Sequence, residues 1–384
     1  MNPVHPLHRL LIPTLSVLAL IAGCDGGSNS AGDGGGATTA PSGGASAAAP
    51  AQVRLGYFAN VTHGQAVLGV SSGDFASAVA PAKFSTKVFN AGPSLIEALF
   101  ANEIDIGYVG PGPALAANAR SKGEGVRIVS GAAANGVLIV ARKDSGINSV
   151  ADLAGKKIAT PQQGNTQDIA ARHYLVKQLK QPNANNIVPI PNAEQVAMMD
   201  RGQIDAAWAP EPWGSRLVAE AGAKIIAEEK DLWPNKEFSL TVIITTPEFL
   251  AKHPETVKQV LGVHARWTER LSTEPQKYAG DLETALVNLS GKKLPPGLMA
   301  ESIRRVNFTN EPLESTFLTM GQWAHDLGFS PAAPDISKLF DTTLLKQVTS
   351  AAGTATTRPA TRPTTAGVAR AGAGAGTPVS AEQN

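Results

Sequence analysis

The sequence predicts an α/β protein of two lobes, each built on a mixed, mostly parallel sheet, with two strands crossing between them. Three observations lead there. A passage occurs twice, one hundred residues apart: Ala101–Pro111 aligns without a gap on Arg201–Glu211. Each copy holds an Ile-Asp pair (Ile104-Asp105, Ile204-Asp205), a small apolar strand with one aromatic (Tyr108, Trp208), and a Gly/Pro-rich loop. Each follows a helix-like stretch opened by Asn-Ala (Asn90-Ala91, Asn192-Ala193). That period is too long for a solenoid and suits two similar lobes. Strand-like and helix-like runs alternate along the body, the pattern of βαβ units. Finally, Gly136–Ala141 and Leu240–Thr245 are continuous apolar runs that read as buried strands. Taken as the crossings, they make lobe one discontinuous (53–137 and 242–348) and insert lobe two (138–241) into it. In open α/β sheets ligands sit in loops beyond the carboxyl ends of strands; two such loops facing each other make a cleft.

The elements follow in order. Arg9 and an apolar run from Leu10 to Ile21, too short to span a bilayer, read as an export signal over residues 1–23. The run ends Leu20-Ile21-Ala22-Gly23-Cys24, which resembles the bacterial lipobox, so Cys24 is the expected site of lipidation. Asp25 behind it resembles the residue that retains lipoproteins at the inner membrane. Cys24 is the only cysteine, which excludes intrachain disulfides and multi-thiolate metal sites. Residues 24–52 are Gly, Ala, Ser and Thr with almost no large apolar side chain, too poor in burial to offset ordering, and read as a flexible tether. Residues 349–384, with Thr-Arg-Pro repeats, read as a disordered low-complexity tail. Between these, Val53–Phe58 is the first strand, Asn60–His63 leads into a helix, and Thr86–Phe89 and Val126–Ser130 are further strands. Ile158–Thr160 is followed by Asn165 in N-cap position with Asp168 three residues on, the spacing of a capping box. Past the second crossing, Pro254 opens a helix with Val257, Val260, Leu261, His264, Trp267 and Leu271 on one face; His264 reads as a core residue.

The formal net charge is +1, and no basic stripe with interleaved aromatics occurs, which argues against nucleic-acid binding. No serine-hydrolase elbow, zinc-protease motif, P-loop or dinucleotide fingerprint is present, so no catalytic residue, cofactor or metal is expected. His63 and His173 lie near no nucleophile in a recognisable arrangement. What the chain does offer is helix starts built from small and hydroxyl residues, at Asn60–His63, Gly110–Ala114 and Gly164–Thr166. Backbone N–H groups at such starts bind anions without a formal positive charge.

Gly56–His63, Phe89–Pro93, Gly110–Pro113, Gly164–Asp168 and Glu211-Pro212-Trp213 together resemble the solute-binding proteins of ABC importers in the sulfonate/nitrate/taurine group. The similarity covers Val53 to Leu271 most strongly. It implies a type II periplasmic-binding-protein fold closing on a small solute, with a permease and its ATPase as partners. The protein would be a monomer held by lipid at the periplasmic face of the inner membrane, or at the outer face of the cell membrane. By position, the resemblance places the pocket at Phe58, Asn60, Thr62 and His63; at Gly110, Pro111 and Gly112; at Gln163, Asn165 and Thr166; and at Glu211 and Trp213. The expected ligand is a small organic anion, an aliphatic sulfonate or aminosulfonate; the alternatives are the same fold binding nitrate, bicarbonate or a thiamine-type pyrimidine precursor, or a pyrimidine-synthesising enzyme, since related folds include such a branch. Glu211 suits the amino group of a zwitterion or the orientation of His63 or a backbone amide. Trp213 suits contact with an alkyl chain or a cation, or plain packing.

Overall fold

A computed structural model describes residues 49–356, and side chains to 350. The signal segment, Cys24 and nearly all of the tether lie outside these residues, as does the tail beyond 356. From Gln52 the chain lays down β1 (Gln52–Phe58), β2 (Lys83–Phe89), β3 (Ile106–Val109) and β4 (Arg127–Asn135). It then builds β5 (Val137–Ala141), β6 (Ile158–Thr160), β7 (Ile187–Pro189), β8 (Ala206–Pro210) and β9 (Lys224–Glu228), and returns for β10 (Ser239–Thr245) and β11 (Val306–Phe308).

Two sheets result, ordered β11-β4-β10-β3-β1-β2 and β7-β6-β8-β5-β9. They share one plan. Three parallel strands (β2-β1-β3, β7-β6-β8) are followed by a strand running the other way (β10, β5), then by a strand antiparallel to that one (β4, β9). Both sheets are therefore mixed, as expected, with parallel pairing confined to three strands in each. The reversed strand is the one that enters from the other lobe, which fixes its direction.

The runs read as crossings each stay within one sheet. β5 belongs wholly to the second and β10, from Ser239, wholly to the first. The chain passes between lobes just outside them, at Asn135-Gly136 and along residues 229–238. Residues 239–241 thus belong to lobe one rather than lobe two. Asn135 (φ 61°) and Gly136 (φ 80°) both take the left-handed conformation at the first passage. A Cβ on Gly136 would also lie 2.6 Å from Val306, so only glycine fits there.

The sequence repeat is visible as structure. The Gly92–Phe100 helix, β3 and the Pro111–Arg120 helix match the Asn192–Asp200 helix, β8 and the Trp213–Ala221 helix. The repeated aspartates do the same work. Asp105 accepts the backbone N–H of Arg54 at 2.8 Å and its own N–H donates to the Arg54 carbonyl. Asp205 accepts the N–H of Lys157 at 2.9 Å and returns a bond to the Lys157 carbonyl. Each also pairs with an arginine, Arg54 or Arg142. A carboxylate thereby ties β1 to β3 in one lobe and β6 to β8 in the other, at equivalent places in the two sheets.

The Pro254–Thr273 helix buries Val257, Val260, Leu261, Trp267 and Leu271 in the core cluster that also holds Val53, Leu55 and Tyr57 of β1, an aliphatic side chain there contributing about 1.5–3 kcal/mol if fully removed from water. His264 sits in this core with Nδ1 3.0 Å from the Tyr108 hydroxyl. The Thr343–Thr356 helix runs on past the boundary expected at residue 349.

Candidate functional site

The loops at the carboxyl ends of β1, β3, β6 and β8 converge between the lobes, and the space they enclose is small, about 30 Å³. That is room for very few water-sized groups. From lobe one come Phe58, Asn60, Thr62, His63, Asn90 and Gly110, with Leu240 and Thr241 from β10; from lobe two come Pro161, Asn165, Thr166, Gln167, Asn192 and Pro210. No lysine, arginine, aspartate or glutamate lines it. His63 adds no charge at neutral pH: its Nδ1 accepts the Phe58 N–H at 3.3 Å, and complete burial lowers its pKa to about 3.

Seven of the expected residues therefore share one cleft: Phe58, Asn60, Thr62, His63, Gly110, Asn165 and Thr166. On the lobe-two side Asn165 caps the Thr166–His173 helix, its Oδ1 accepting the Asp168 N–H at 2.9 Å while its Nδ2 donates to Gln167. The Asp168 carboxylate is fully buried and accepts from Thr160, the Gly164 N–H and Arg172. This cap stiffens the loop and leaves the first-turn N–H groups without acceptors inside their helix.

The other expected residues lie off the cleft. Gln163 is exposed. Pro111 is buried, and Gly112 faces a separate, mainly apolar cavity of about 380 Å³ on the far side. Beyond Gly110, from Pro111 to Ala114, this helix start has no free donor to give an anion. Pro111 and Pro113 lack N–H groups, the Gly112 N–H donates to Thr166 Oγ1 at 3.3 Å, and the Ala114 N–H returns to the Gly110 carbonyl. Glu211 points away from the cleft. Its carboxylate accepts from the Ser215 N–H and hydroxyl, from the Ser302 hydroxyl, and from Arg305 Nη1 at 3.3 Å. Burial raises its pKa, while Arg305 and the two serines oppose that rise. Only its main-chain oxygen reaches the other lobe's loop, accepting the Val61 N–H at 3.1 Å. Trp213 likewise stands behind the cleft and donates to Asn60.

These contacts bind lobe to lobe. Trp213–Asn60, Gly112–Thr166, Val61–Glu211 and Glu211–Arg305 each join a group of lobe one to a group of lobe two, so the conformation is a closed one. A solute larger than the enclosed space enters only when they part.

Asn90, Gln167, Asn192, Leu240 and Thr241 were missed from the sequence. The two asparagines carried a signal, the Asn-Ala pairs that open the repeated helices. Gln167 lay inside the recognised capping segment. Leu240 and Thr241 were hidden in a run that reads as buried strand. Among the described residues, no cluster of His, Cys, Asp or Glu is placed to hold a metal ion, and no helix is long and apolar enough to cross a membrane.

The model of the NMT1-like family matches residues 46–282. A Brucella abortus binding-protein relative is 33% identical over 180 residues, 46% of this chain and 54% of its own length. The taurine-binding periplasmic protein of Escherichia coli (strain K12) is 28% identical over 173 residues, 44% of this chain and 52% of that protein. The chain thus spans about half the length of these curated relatives. The alkanesulfonate-binding protein SsuA from Xanthomonas axonopodis pv. citri, solved bound to MOPS, superposes with a TM-score of 0.61 at 23% identity, over 79% of this chain and 99% of that one. That likeness shows the fold, a periplasmic-binding-protein fold.

Proposed function

The chain belongs to the NMT1-like family, and from that premise we propose that it is the solute-binding component of an ABC importer, capturing a small organic anion between its lobes and delivering it to a permease driven by an ATPase. The observation that carries this reading is the closed, uncharged cleft where the two repeat loops meet. A buried anion must be compensated by hydrogen bonds, and the amide and hydroxyl groups of Asn60, Thr62, Asn165 and Thr166, with first-turn N–H groups, supply them. Phe58, His63 and Gly110 complete the contact set. A cleft built from neutral donors holds its ligand and releases it once the lobes part. The binding reading is supported by the relatives, which include a taurine-binding and an alkanesulfonate-binding protein.

The ligand proposed is an aliphatic sulfonate, supported by the taurine-binding relative and the alkanesulfonate-binding structural neighbour. An uncharged alkyl tail suits the walls better than an amino group, since the Glu211 carboxylate is engaged by Arg305. Lipidation at Cys24 would tether the monomer at the periplasmic face of the inner membrane, or at the outer face of the cell membrane.

Calorimetric titration of the purified domain with ethanesulfonate, taurine, nitrate and bicarbonate tests the reading. Binding of ethanesulfonate, at least as tight as taurine and tighter than nitrate, is expected, with a fall in radius of gyration by solution scattering. No heat with either sulfonate would overturn it. For the anchor, Cys24→Ala is expected to accumulate as unprocessed precursor; freely soluble mature protein from that variant would exclude lipoprotein maturation.

A further inference from the structure

Thr241 carries a hydroxyl that the fold leaves without a partner. The residue is 1% exposed, its Oγ1 makes no hydrogen bond, and it lines the cleft. The ladder is irregular at this position. β10 pairs with β4 as Ser239↔Ala134, Thr241↔Ala133 and Val242↔Gly131, and the register slips on both sides of Thr241. The strand nevertheless keeps alternating, with Leu240, Val242 and Ile244 in one core cluster and Ile243 in the other, and Thr241 meets the cleft near the start of β10. Such irregularities recur beside binding sites. An unpaired buried hydroxyl is a net cost to folding, and the strand continues as Val242-Ile243-Ile244, so valine would serve the core better at position 241.

We propose that Thr241 is a specificity-determining ligand contact, its hydroxyl donating to an oxygen of the bound anion from lobe one while Asn165 and Thr166 approach from lobe two. The inference rests on the reading of the cleft as an oxoanion site. With no charged side chain on the walls, each neutral donor carries a larger share of the recognition, and a donor from the sheet itself is held more rigidly than one from a loop. A ligand oxygen bound to both lobes is what favours the closed state.

The test compares wild type with Thr241→Val, which keeps the shape and deletes the hydroxyl, and Thr241→Ser, which keeps the hydroxyl. Each is titrated with ethanesulfonate and, separately, melted without it. Thr241→Val is expected to bind about ten- to a hundredfold more weakly, the loss of one hydrogen bond to a charged group. It is expected to melt at or above the wild-type temperature, because an unsatisfied polar group has gone. Thr241→Ser should stay within about threefold of wild-type affinity. Equal affinities of Thr241→Val and wild type, whatever the melting temperatures, would overturn the inference and leave the oxoanion reading standing. A wild-type protein that binds neither ethanesulfonate nor nitrate would overturn that reading and the inference with it.

Discussion

Trp213 and Asn60, 153 residues apart in the chain, meet between the lobes: the indole Nε1–H donates to the Asn60 carboxamide oxygen at 2.8 Å. The bond settles which way the carboxamide points, leaving its NH₂ group as the donor available to a ligand. Trp213 is held in turn by the Arg216 guanidinium 4.8 Å over its ring. A residue outside the cleft thus orients one that lines it. Trp213→Phe keeps the ring and removes the N–H. One neutral hydrogen bond contributes about 0.5–1.5 kcal/mol, so sulfonate affinity should fall about two- to tenfold, with little change in the melting temperature of the ligand-free protein. Titration alongside thermal melting checks this; unchanged affinity would mean that Asn60 needs no such support.

Gly110 stands where the lobes come closest. A Cβ there would lie 2.3 Å from Thr166 Oγ1, nearer than real Cβ atoms approach. The backbone itself (φ −76°, ψ 158°) accepts alanine without strain. Because the obstacle belongs to the other lobe, Gly110→Ala should leave the open form intact and block closure. Expected are a melting temperature close to wild type, loss of the ligand-induced fall in radius of gyration, and affinity lowered by at least about tenfold, since the ligand then fails to gain contacts with both lobes. Adding Thr166→Ala removes the nearer obstacle and should restore part of the compaction, which scattering on both variants would reveal.

The sequence carried the repeat because the repeated residues do repeated work: Asp105 ties β1 to β3 and Asp205 ties β6 to β8 through the same main-chain bonds. The cleft residues at strand ends were legible for a related reason, since small and capping residues such as Asn60, Asn165 and Thr166 mark where helices start. The Gly110 helix start looked the same and offers fewer donors, because Pro111 and Pro113 have none and a cross-lobe hydroxyl engages that of Gly112. Glu211 shows what local sequence does not contain. Its partners Ser302 and Arg305 lie 91 and 94 residues away, and only the fold decides that its carboxylate turns toward them and away from the cleft. Thr241 was hidden in a run that reads as buried strand, because hydrophobic periodicity does not report an unpaired hydroxyl.

Arg305 belongs to lobe one and Glu211 to lobe two, so their ion pair bridges the lobes. The Glu211 side chain is fully buried and that of Arg305 is 19% exposed. Arg305→Met leaves a buried carboxylate without its cation, and opening the cleft is the way to rehydrate it. The penalty for breaking a buried pair is about 3–5 kcal/mol, reduced here because Ser215 and Ser302 still donate to Glu211. Affinity should therefore fall by about tenfold or more, with a larger radius of gyration at subsaturating ligand. Glu211→Gln combined with Arg305→Met should bind more tightly than Arg305→Met alone, because no charge is then stranded. A double-mutant cycle on affinity measures the coupling; strictly additive losses would mean that the pair does not act on closure.

Glu229 opens the second passage between the lobes with both carboxylate oxygens on indoles, Trp208 Nε1 at 2.6 Å and Trp233 Nε1 at 3.0 Å. Complete burial pushes its pKa from 4.5 up to about 7 against those two bonds. Between these values the folded protein holds a proton that the unfolded chain has released, so this group's contribution makes stability fall as pH rises through the window and stay level above it. Three histidines, two buried and one half-buried, act in the opposite sense. His63, His173 and His264 are lowered by burial to about 3, 4 and 3, so unfolding takes up protons below pH 6.5 and their contribution rises with pH up to that point. The whole curve mixes both trends, and comparison with Glu229→Gln isolates one. The variant keeps the size and cannot titrate, and its amide serves only one of the two indoles as acceptor. The wild-type advantage over Glu229→Gln should shrink by about 3 kcal/mol between pH 4.5 and 7, at about 1.4 kcal/mol per pKa unit, and hold constant from pH 7.5 to 9. Urea unfolding of both proteins at a series of pH values decides it. A constant difference from pH 5 to 8 would mean that Glu229 is ionised throughout and that the indoles outweigh its burial.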